Sequence, residues 1–167
     1  KIIMKKTYKY LILLAFVLFN FSNTNAQINK AEIRATGLTC SMCSNAINKQ
    51  LKALKEVASV ETDLNTNTFT VTLNENTTIS PVTFKQSVEK AGFFIGSLVL
   101  TSKTSLVKNE KYILVDSKTS STEEVTFQVL DKGYVTEKEF KKLSKSLKNV
   151  ETYLANNEDD FHIKVLN

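Results

Sequence analysis

The spacing of apolar residues between positions 28 and 100 constrains the fold of this chain more than any other feature of its sequence. In three segments apolar residues alternate with polar ones, as in strands with one buried face, in two they recur at helical spacing, and residues 95–100 form a mostly apolar last strand. The segments follow one another as strand (31–35), helix (43–54), strand (60–64), strand (69–73), helix (84–91) and strand (95–100). This order predicts an α+β, ferredoxin-like βαββαβ domain over about 28–100.

Turn and cap residues agree with these boundaries. Gly37 follows the first strand, and residues 65–67 (Asn-Thr-Asn) predict a tight turn between the second and third strands. Ser80 and Pro81 have the pattern of an N-cap and a first helical residue. Gly92 predicts a left-handed cap at the end of the second helix. The sequence therefore predicts where each helix begins or ends.

Two cysteines lie where the first strand passes into the first helix, in segment 37–43 (GLTCSMC). Cys40 is expected on the loop and Cys43 in the first helical turn. Unpaired N–H groups and the helix dipole favour anionic sulfur there, so the thiols should ionise more easily than a free cysteine, whose pKa is about 8.5. Soft sulfur ligands prefer Cu(I) over hard cations such as Mg²⁺. Cys40 and Cys43 are the predicted metal ligands.

Other side chains offer little to complete a larger ligand set. A closed zinc site usually needs four ligands, and the single histidine, His162, lies in a strand-like segment (161–165) on what we interpret as its solvent-facing side. Met42 is expected to be exposed rather than to act as a third ligand. A four-coordinate zinc site within one molecule is therefore not predicted, although a metal ion bridging two molecules stays open.

Segment 37–43 resembles the Gly-Met-x-Cys-x-x-Cys motif of the heavy-metal-associated domain, as in copper chaperones, copper-transporting ATPases and the periplasmic mercury-binding protein. The resemblance runs to residues 91–93 (Ala-Gly-Phe), similar to the Ala-Gly-Tyr ending of the family, and covers about 70 of the 167 residues. It implies Cys40 and Cys43 as ligands of Cu(I), with Hg(II) or Zn(II) as alternatives. It also implies a metal-transporting ATPase or another metal-accepting protein as partner.

The same resemblance implies places for two further residues. Leu38 stands where the family has methionine and would fill the core beneath the loop, a replacement that conserves volume. Phe93 would lie in the loop nearest the metal, where soluble chaperones often have lysine and many bacterial members tyrosine. It brings neither a charge nor a hydroxyl group, which weakens the analogy with cytosolic chaperones.

Residues 1–26 have the pattern of a secretory signal. Lys5 and Lys6 precede an apolar stretch of 12 residues at 10–21, and Ala26 offers a small residue at the cleavage position. The stretch is shorter than the roughly 20 residues of a spanning helix. We expect cleavage, export to the periplasm or cell envelope, and no membrane contact afterwards.

The net charge of +5 does not indicate a nucleic-acid partner. Four lysines lie in the first ten residues, and beyond residue 26 there are 18 basic and 17 acidic side chains. The remaining sequence is therefore close to neutral, without the basic excess expected of a nucleic-acid-binding domain.

The C-terminal part is less regular. Residues 101–124 are rich in Ser, Thr and Lys and predict a linker with a short strand at 112–115. Residues 125–167 predict a small α+β unit that could be a degenerate βαββ copy of the first domain. In that alignment segment 150–154 corresponds to the strand at 60–64, and Thr136 and Glu139 replace Cys40 and Cys43.

Two rival interpretations use the same cysteines. A thiol–disulfide oxidoreductase is disfavoured because thioredoxin-like domains usually have tryptophan before the first cysteine and a cis-proline, whereas this chain has no tryptophan and Pro81 opens a helix. A structural envelope protein with an oxidised cysteine pair is the second rival. No other catalytic set is apparent, so we expect a non-enzymatic protein that binds and transfers a soft metal ion.

Overall fold

The computed structural model describes residues 27–75, 77–116, 122–148, 150–155, 157 and 160–166. The predicted signal at 1–26 lies outside the described residues. Within them, no helix combines the length and the apolar character needed to cross a membrane.

The part of the chain that the structure describes forms seven strands, three α-helices and a short 3-10 helix. The strands and α-helices follow in the order β1 (Ile28–Thr36), α1 (Ser41–Lys52), β2 (Val57–Asp63), β3 (Thr68–Leu73), α2 (Pro81–Lys90), β4 (Phe94–Lys103), β5 (Tyr112–Leu114), β6 (Glu124–Val129), α3 (Glu137–Ser146) and β7 (Phe161–Val165). The first six elements have the predicted βαββαβ order. The α+β, ferredoxin-like fold is confirmed.

The first helix and the second helix cover the core of this fold. Ile47 and Leu51 of α1 and Phe84 and Val88 of α2 are fully buried, and they share one core with Ile33 of β1. Each such side chain contributes about 1.5–3 kcal/mol through burial. Helix α2 begins as predicted, because the Ser80 hydroxyl accepts a hydrogen bond from the Val82 amide at 3.3 Å.

All seven strands belong to one sheet, in the order β2-β3-β1-β4-β6-β7-β5. Strand β6 pairs antiparallel with β4, which places Phe127 opposite Leu100. Both side chains are fully buried in the same core. The predicted linker contains the end of β4, the 3-10 helix Leu106–Lys108 and β5, which pairs in parallel with β7. The C-terminal elements thus extend the sheet of the first six.

The strand expected at 150–154 is wrong, because this segment forms consecutive turns. The Tyr153 amide donates to the Val150 carbonyl at 3.1 Å, and the Tyr153 hydroxyl donates to the Leu130 carbonyl at 2.7 Å. The Tyr153 ring is fully buried. The turn lets this ring pack with Leu130 and Val135 in a small apolar cluster.

The C-terminal segment that the sequence aligned with the first domain has similar backbone geometry before its helix. Gly133 has a φ of +88°, close to the +85° of Gly37. Thr136 is the N-cap of α3, as Cys40 is of α1, and the Thr136 hydroxyl accepts a hydrogen bond from the Glu139 amide at 3.2 Å. An ordinary helix cap therefore occupies the position that holds the thiols in the first domain.

Candidate metal centre

The cysteine loop connects the end of β1 to the start of α1. Strand β1 lies between β3 and β4, which fixes the position from which the loop departs. Gly37 has φ +85°, a left-handed conformation that glycine adopts without steric cost. Leu38 is half-buried against the core, and Phe93 packs so close that a side chain added at position 37 would contact its ring. Leu38 and Phe93 thus lie where the family resemblance places them.

The two sulfur atoms lie side by side. The Sγ atoms of Cys40 and Cys43 are 3.0 Å apart, and neither cysteine is in a disulfide. The Cys43 amide donates to the Cys40 carbonyl at 3.1 Å, which closes the first turn of α1 and brings both side chains to the same end of the helix. Cys40 is exposed and Cys43 half-buried. The pair is open to an ion or a partner thiol.

The surroundings of Cys43 favour its thiolate. A hydrogen bond with the Cys40 side chain lowers the pKa of the Cys43 thiol, and a hydrogen bond from the Thr39 backbone acts in the same direction. Cys40 is the N-cap residue of α1, yet its side chain makes no capping hydrogen bond. The amides of the first helical turn therefore face the sulfur atoms without a competing oxygen acceptor from the cap.

No larger ligand set forms in the described part of the chain. Among those residues, no group of three or more His, Cys, Asp and Glu side chains could hold a metal ion. Met42, between the two cysteines, is 78% exposed, in agreement with the sequence prediction. The arrangement that the structure offers is a pair of thiols at the protein surface.

The prediction that His162 faces solvent is wrong. Its side chain is 1% exposed, with Nδ1 2.7 Å from Asp131 Oδ1 and Nε2 2.8 Å from Thr152 Oγ1. Its backbone N–H donates to the other Asp131 oxygen at 2.7 Å. The Tyr153 ring packs edge-on against the His162 ring, with the two centroids 5.1 Å apart, and covers this position on β7. His162 is a buried structural residue.

Exposed apolar side chains surround the cysteine loop. Met42 lies in the first turn of α1, Leu64 lines the cleft beside Cys40, and Phe94 pairs with Thr36 at the end of β1. Leu64 is 57% exposed and Phe94 68%. These three residues are hereafter the apolar rim. Leu64 and Phe94 were missed in the sequence because apolar residues at strand ends read as core.

The sequence profile described as "Heavy-metal-associated domain" matches residues 32–94. This stretch runs from β1 through the cysteine loop to the start of β4. Residues 32–94 are a heavy-metal-associated domain.

Several known proteins are similar to this domain. A copper-transporting ATPase of Saccharomyces cerevisiae is 42% identical over 57 residues, which are 34% of this chain and 6% of the ATPase. The chain thus spans a small fraction of that relative. The solved yeast copper transporter domain Ccc2a, studied in apo and Cu(I)-loaded states, is 35% identical and matches 39% of this chain and 88% of its own, with a TM-score of 0.35. The solved Atx1-Cu(I)-Ccc2a complex gives the same identity, coverage and TM-score.

Proposed function

We propose that this protein binds Cu(I) between Cys40 and Cys43 and passes it to a thiol-bearing partner. The observation that carries the proposal is the 3.0 Å separation of two free sulfur atoms at the exposed start of α1, inside a heavy-metal-associated domain. Sulfur ligands select a soft ion. The copper-transporting ATPase that is 42% identical over 57 residues of this chain supports copper as that ion.

Binding requires a modest rearrangement of the two side chains. A metal–thiolate bond is about 2.3 Å long for zinc. An ion held in near-linear fashion between two sulfurs at that distance would separate them by about 4.6 Å, so the sulfurs must move apart from 3.0 Å. Cys40 is exposed and can change rotamer without disturbing the core. The loop can therefore open around the ion while β1 and α1 stay in place.

Transfer would proceed by ligand exchange. A thiolate of the partner binds the ion to give a three-coordinate intermediate, and then one of the two cysteines of this chain leaves. No electron is exchanged, because the ion stays Cu(I) throughout. Lys49 and Lys52 lie in the last turn of α1, about 12 Å or more along the helix from its start. The apolar rim is closer to the cysteines and is the better contact surface for the partner.

A competition titration tests the binding step. The reduced full chain is titrated with Cu(I), Hg(II) and Zn(II) against a chelator, beside Cys40→Ser and Cys43→Ser variants. Wild type should bind Cu(I) tightly, and each variant should lose this affinity while keeping its circular dichroism spectrum. Sulfur neighbours should dominate the X-ray absorption spectrum of the loaded protein. Retained affinity in both variants, or a shell without sulfur, would refute the site.

One observation keeps an oxidoreductase as the second candidate. The lowered pKa of Cys43 and the adjacent Cys40 sulfur are also what disulfide exchange requires. Turnover of a dithiol substrate in the absence of metal would favour that function. A stable disulfide in protein isolated from cells, seen by mass spectrometry, would instead favour a structural role.

We further propose that the protein acts after export to the periplasm or cell envelope, as the pattern of residues 1–26 indicates. Mass spectrometry of the protein from fractionated cells tests this. A chain beginning at Gln27 in the envelope fraction is expected, and full-length protein confined to the cytosol would contradict it.

A further inference from the structure

Helix α3 and the turn that follows it carry a dense row of lysines that the metal chemistry does not use. All five are exposed, and among the described residues none makes an ion pair within 4.0 Å. These residues, hereafter called the lysine face, are Lys138, Lys141, Lys142 and Lys145 in α3 and Lys148 two residues beyond its end. Near-neutrality beyond residue 26 concealed this face in the sequence, because acidic residues elsewhere balance its charge.

The opposite side of α3 fixes the direction in which the lysines point. Phe140, Leu143 and Leu147 pack against a second apolar cluster that contains Tyr153, and the ring centroids of Phe140 and Tyr153 are 5.7 Å apart. These apolar side chains are already used in the interior. The helix therefore offers its surroundings charge rather than an apolar face for insertion.

The spacing of the lysines also destabilises the helix itself. Lys138 is three and four residues from Lys141 and Lys142, and both of these lie within one turn of Lys145. Like charges at such spacing destabilise a helix. Glu137 and Glu139 offset the charge only in the first turn. An anionic surface outside the molecule would remove the repulsion that α3 bears alone.

We propose that the lysine face docks on the anionic phospholipid surface of a membrane. Protein–protein interfaces are depleted of lysine and depend on buried aromatic or apolar anchors, which the solvent-facing row on α3 lacks. Anionic lipid surfaces attract clustered lysines by electrostatics alone, without such anchors. This inference is independent of the cysteine site and replaces the sequence expectation of no membrane contact.

Lysine footprinting locates the docking surface on the full chain. Acetylation rates are measured by mass spectrometry with vesicles of phosphatidylcholine alone and of phosphatidylcholine mixed with phosphatidylglycerol. The mixed vesicles should slow acetylation of the lysine face several-fold. The exposed Lys49, Lys52 and Lys55 at the end of α1 serve as internal controls and should change little. Because each site is read separately, attachment through residues 1–26 does not mask the result.

Two charge-matched variants complete the test. Lys141, Lys142 and Lys145 are replaced by Gln in one, and Lys49, Lys52 and Lys55 in the other. The first should lower the phosphatidylglycerol-dependent part of vesicle binding by on the order of tenfold to a hundredfold, and the second should leave it nearly unchanged. The effect should weaken with added salt, which screens exposed charges. Circular dichroism and Cu(I) affinity should be unaltered in both.

Two results would overturn the proposal. One is equal acetylation of the lysine face with the two kinds of vesicle, which would leave an acidic protein as the better occupant. The other is an equal loss of binding in the two variants, which would mean that net charge rather than this face attracts the lipid. Neither result would affect the assignment of Cys40 and Cys43, which the metal titration tests separately.

Discussion

Cys40 and Cys43 have the same side chain but different surroundings. Cys40 is exposed and caps α1, whereas Cys43 is half-buried in the first turn, with the Cys40 sulfur and the Thr39 backbone as hydrogen-bond partners. Thiolate is the reactive and metal-binding form. The lowered pKa of Cys43 therefore favours this residue as the first ligand to hold an arriving ion.

The pH dependence of alkylation checks this difference. Because the pKa of Cys43 lies below its ordinary 9.0, its reaction with iodoacetamide should reach half-maximal rate at a lower pH in the folded chain than in urea. The Cys40 side chain is the main cause, so a Cys40→Ala variant should shift the Cys43 profile back to higher pH. An unchanged profile in that variant would contradict the assigned cause.

The carboxylate of Asp131 holds β7 to the loop after β6. It accepts hydrogen bonds from the backbone N–H and the ring of His162, both at 2.7 Å. Burial raises the pKa of Asp131, and the bonds from His162 oppose that effect. Burying the Asp131 carboxylate costs desolvation energy, but it satisfies two buried hydrogen-bond donors of His162.

Removing this acceptor should be costly. In Asp131→Ala two buried donors lose their partner, at about 1–3 kcal/mol each, so the free energy of unfolding should fall by about 2–6 kcal/mol in urea titrations. Asp63→Ala is the control, because Asp63 also accepts a backbone and a side-chain hydrogen bond but is exposed, where water can replace it. Equal losses in the two variants would show that burial does not matter here.

Among the three α-helices of the described residues, α2 and α3 begin with a side-chain cap, whereas α1, which carries the thiols, does not. Ser80 caps α2 and Thr136 caps α3 through their hydroxyl groups, whereas the Cys40 sulfur makes no capping bond on α1. Serine and threonine are preferred N-cap residues. At α1 a cysteine occupies the N-cap position without making a capping hydrogen bond, which makes this helix less stable than a serine or threonine cap would.

This contrast predicts that replacing Cys40, a proposed metal ligand, by serine stabilises the fold. Cys40→Ser places a hydroxyl group at the N-cap and should raise the free energy of unfolding of the metal-free protein by up to about 1 kcal/mol. Ser80→Ala, the reverse change at α2, should lower it by about 1 kcal/mol. Thermal and urea unfolding under reducing conditions measure both. A Cys40→Ser variant less stable than wild type would contradict the capping argument.

At the scale of the whole molecule, one sheet and one main core join the heavy-metal-associated domain to the C-terminal elements. Leu98 and Leu100 of β4 and Val125 and Phe127 of β6 are fully buried and belong to the same apolar cluster. Strand β6 also covers the edge of β4, which would otherwise present unpaired backbone groups. The C-terminal elements therefore stabilise the domain that carries the cysteines.

A core substitution in β6 should consequently lower the stability of the heavy-metal-associated domain as well. Phe127→Ala should cost about 3–5 kcal/mol. If the molecule unfolds as one unit, hydrogen exchange of β1 amides should accelerate along with that of β6. The exposed Glu123→Ala is the control and should leave both unchanged. Acceleration confined to β6 and β7 would show that the two parts unfold independently.

Local signals in the sequence were sufficient for the first domain. Alternating and helical spacing, Gly37, Ser80-Pro81 and Gly92 predicted its elements, and the cysteine spacing predicted the thiol pair at a helix start. These features act over a few residues, so they can be read without knowing the fold. The metal-ligand role of Cys40 and Cys43 itself stays a prediction until the ion is titrated.

Contacts between distant segments were decided only by the tertiary structure. His162 is buried because the Tyr153 ring packs against it and because it bonds to Asp131 and Thr152, which are 31 and 10 residues away. In the turn at 150–154, the Tyr153 ring packs with Leu130, Val135 and the apolar side of α3, all distant in sequence. Alternation along one strand shows which side chains share a face, but whether that face meets water depends on its neighbours.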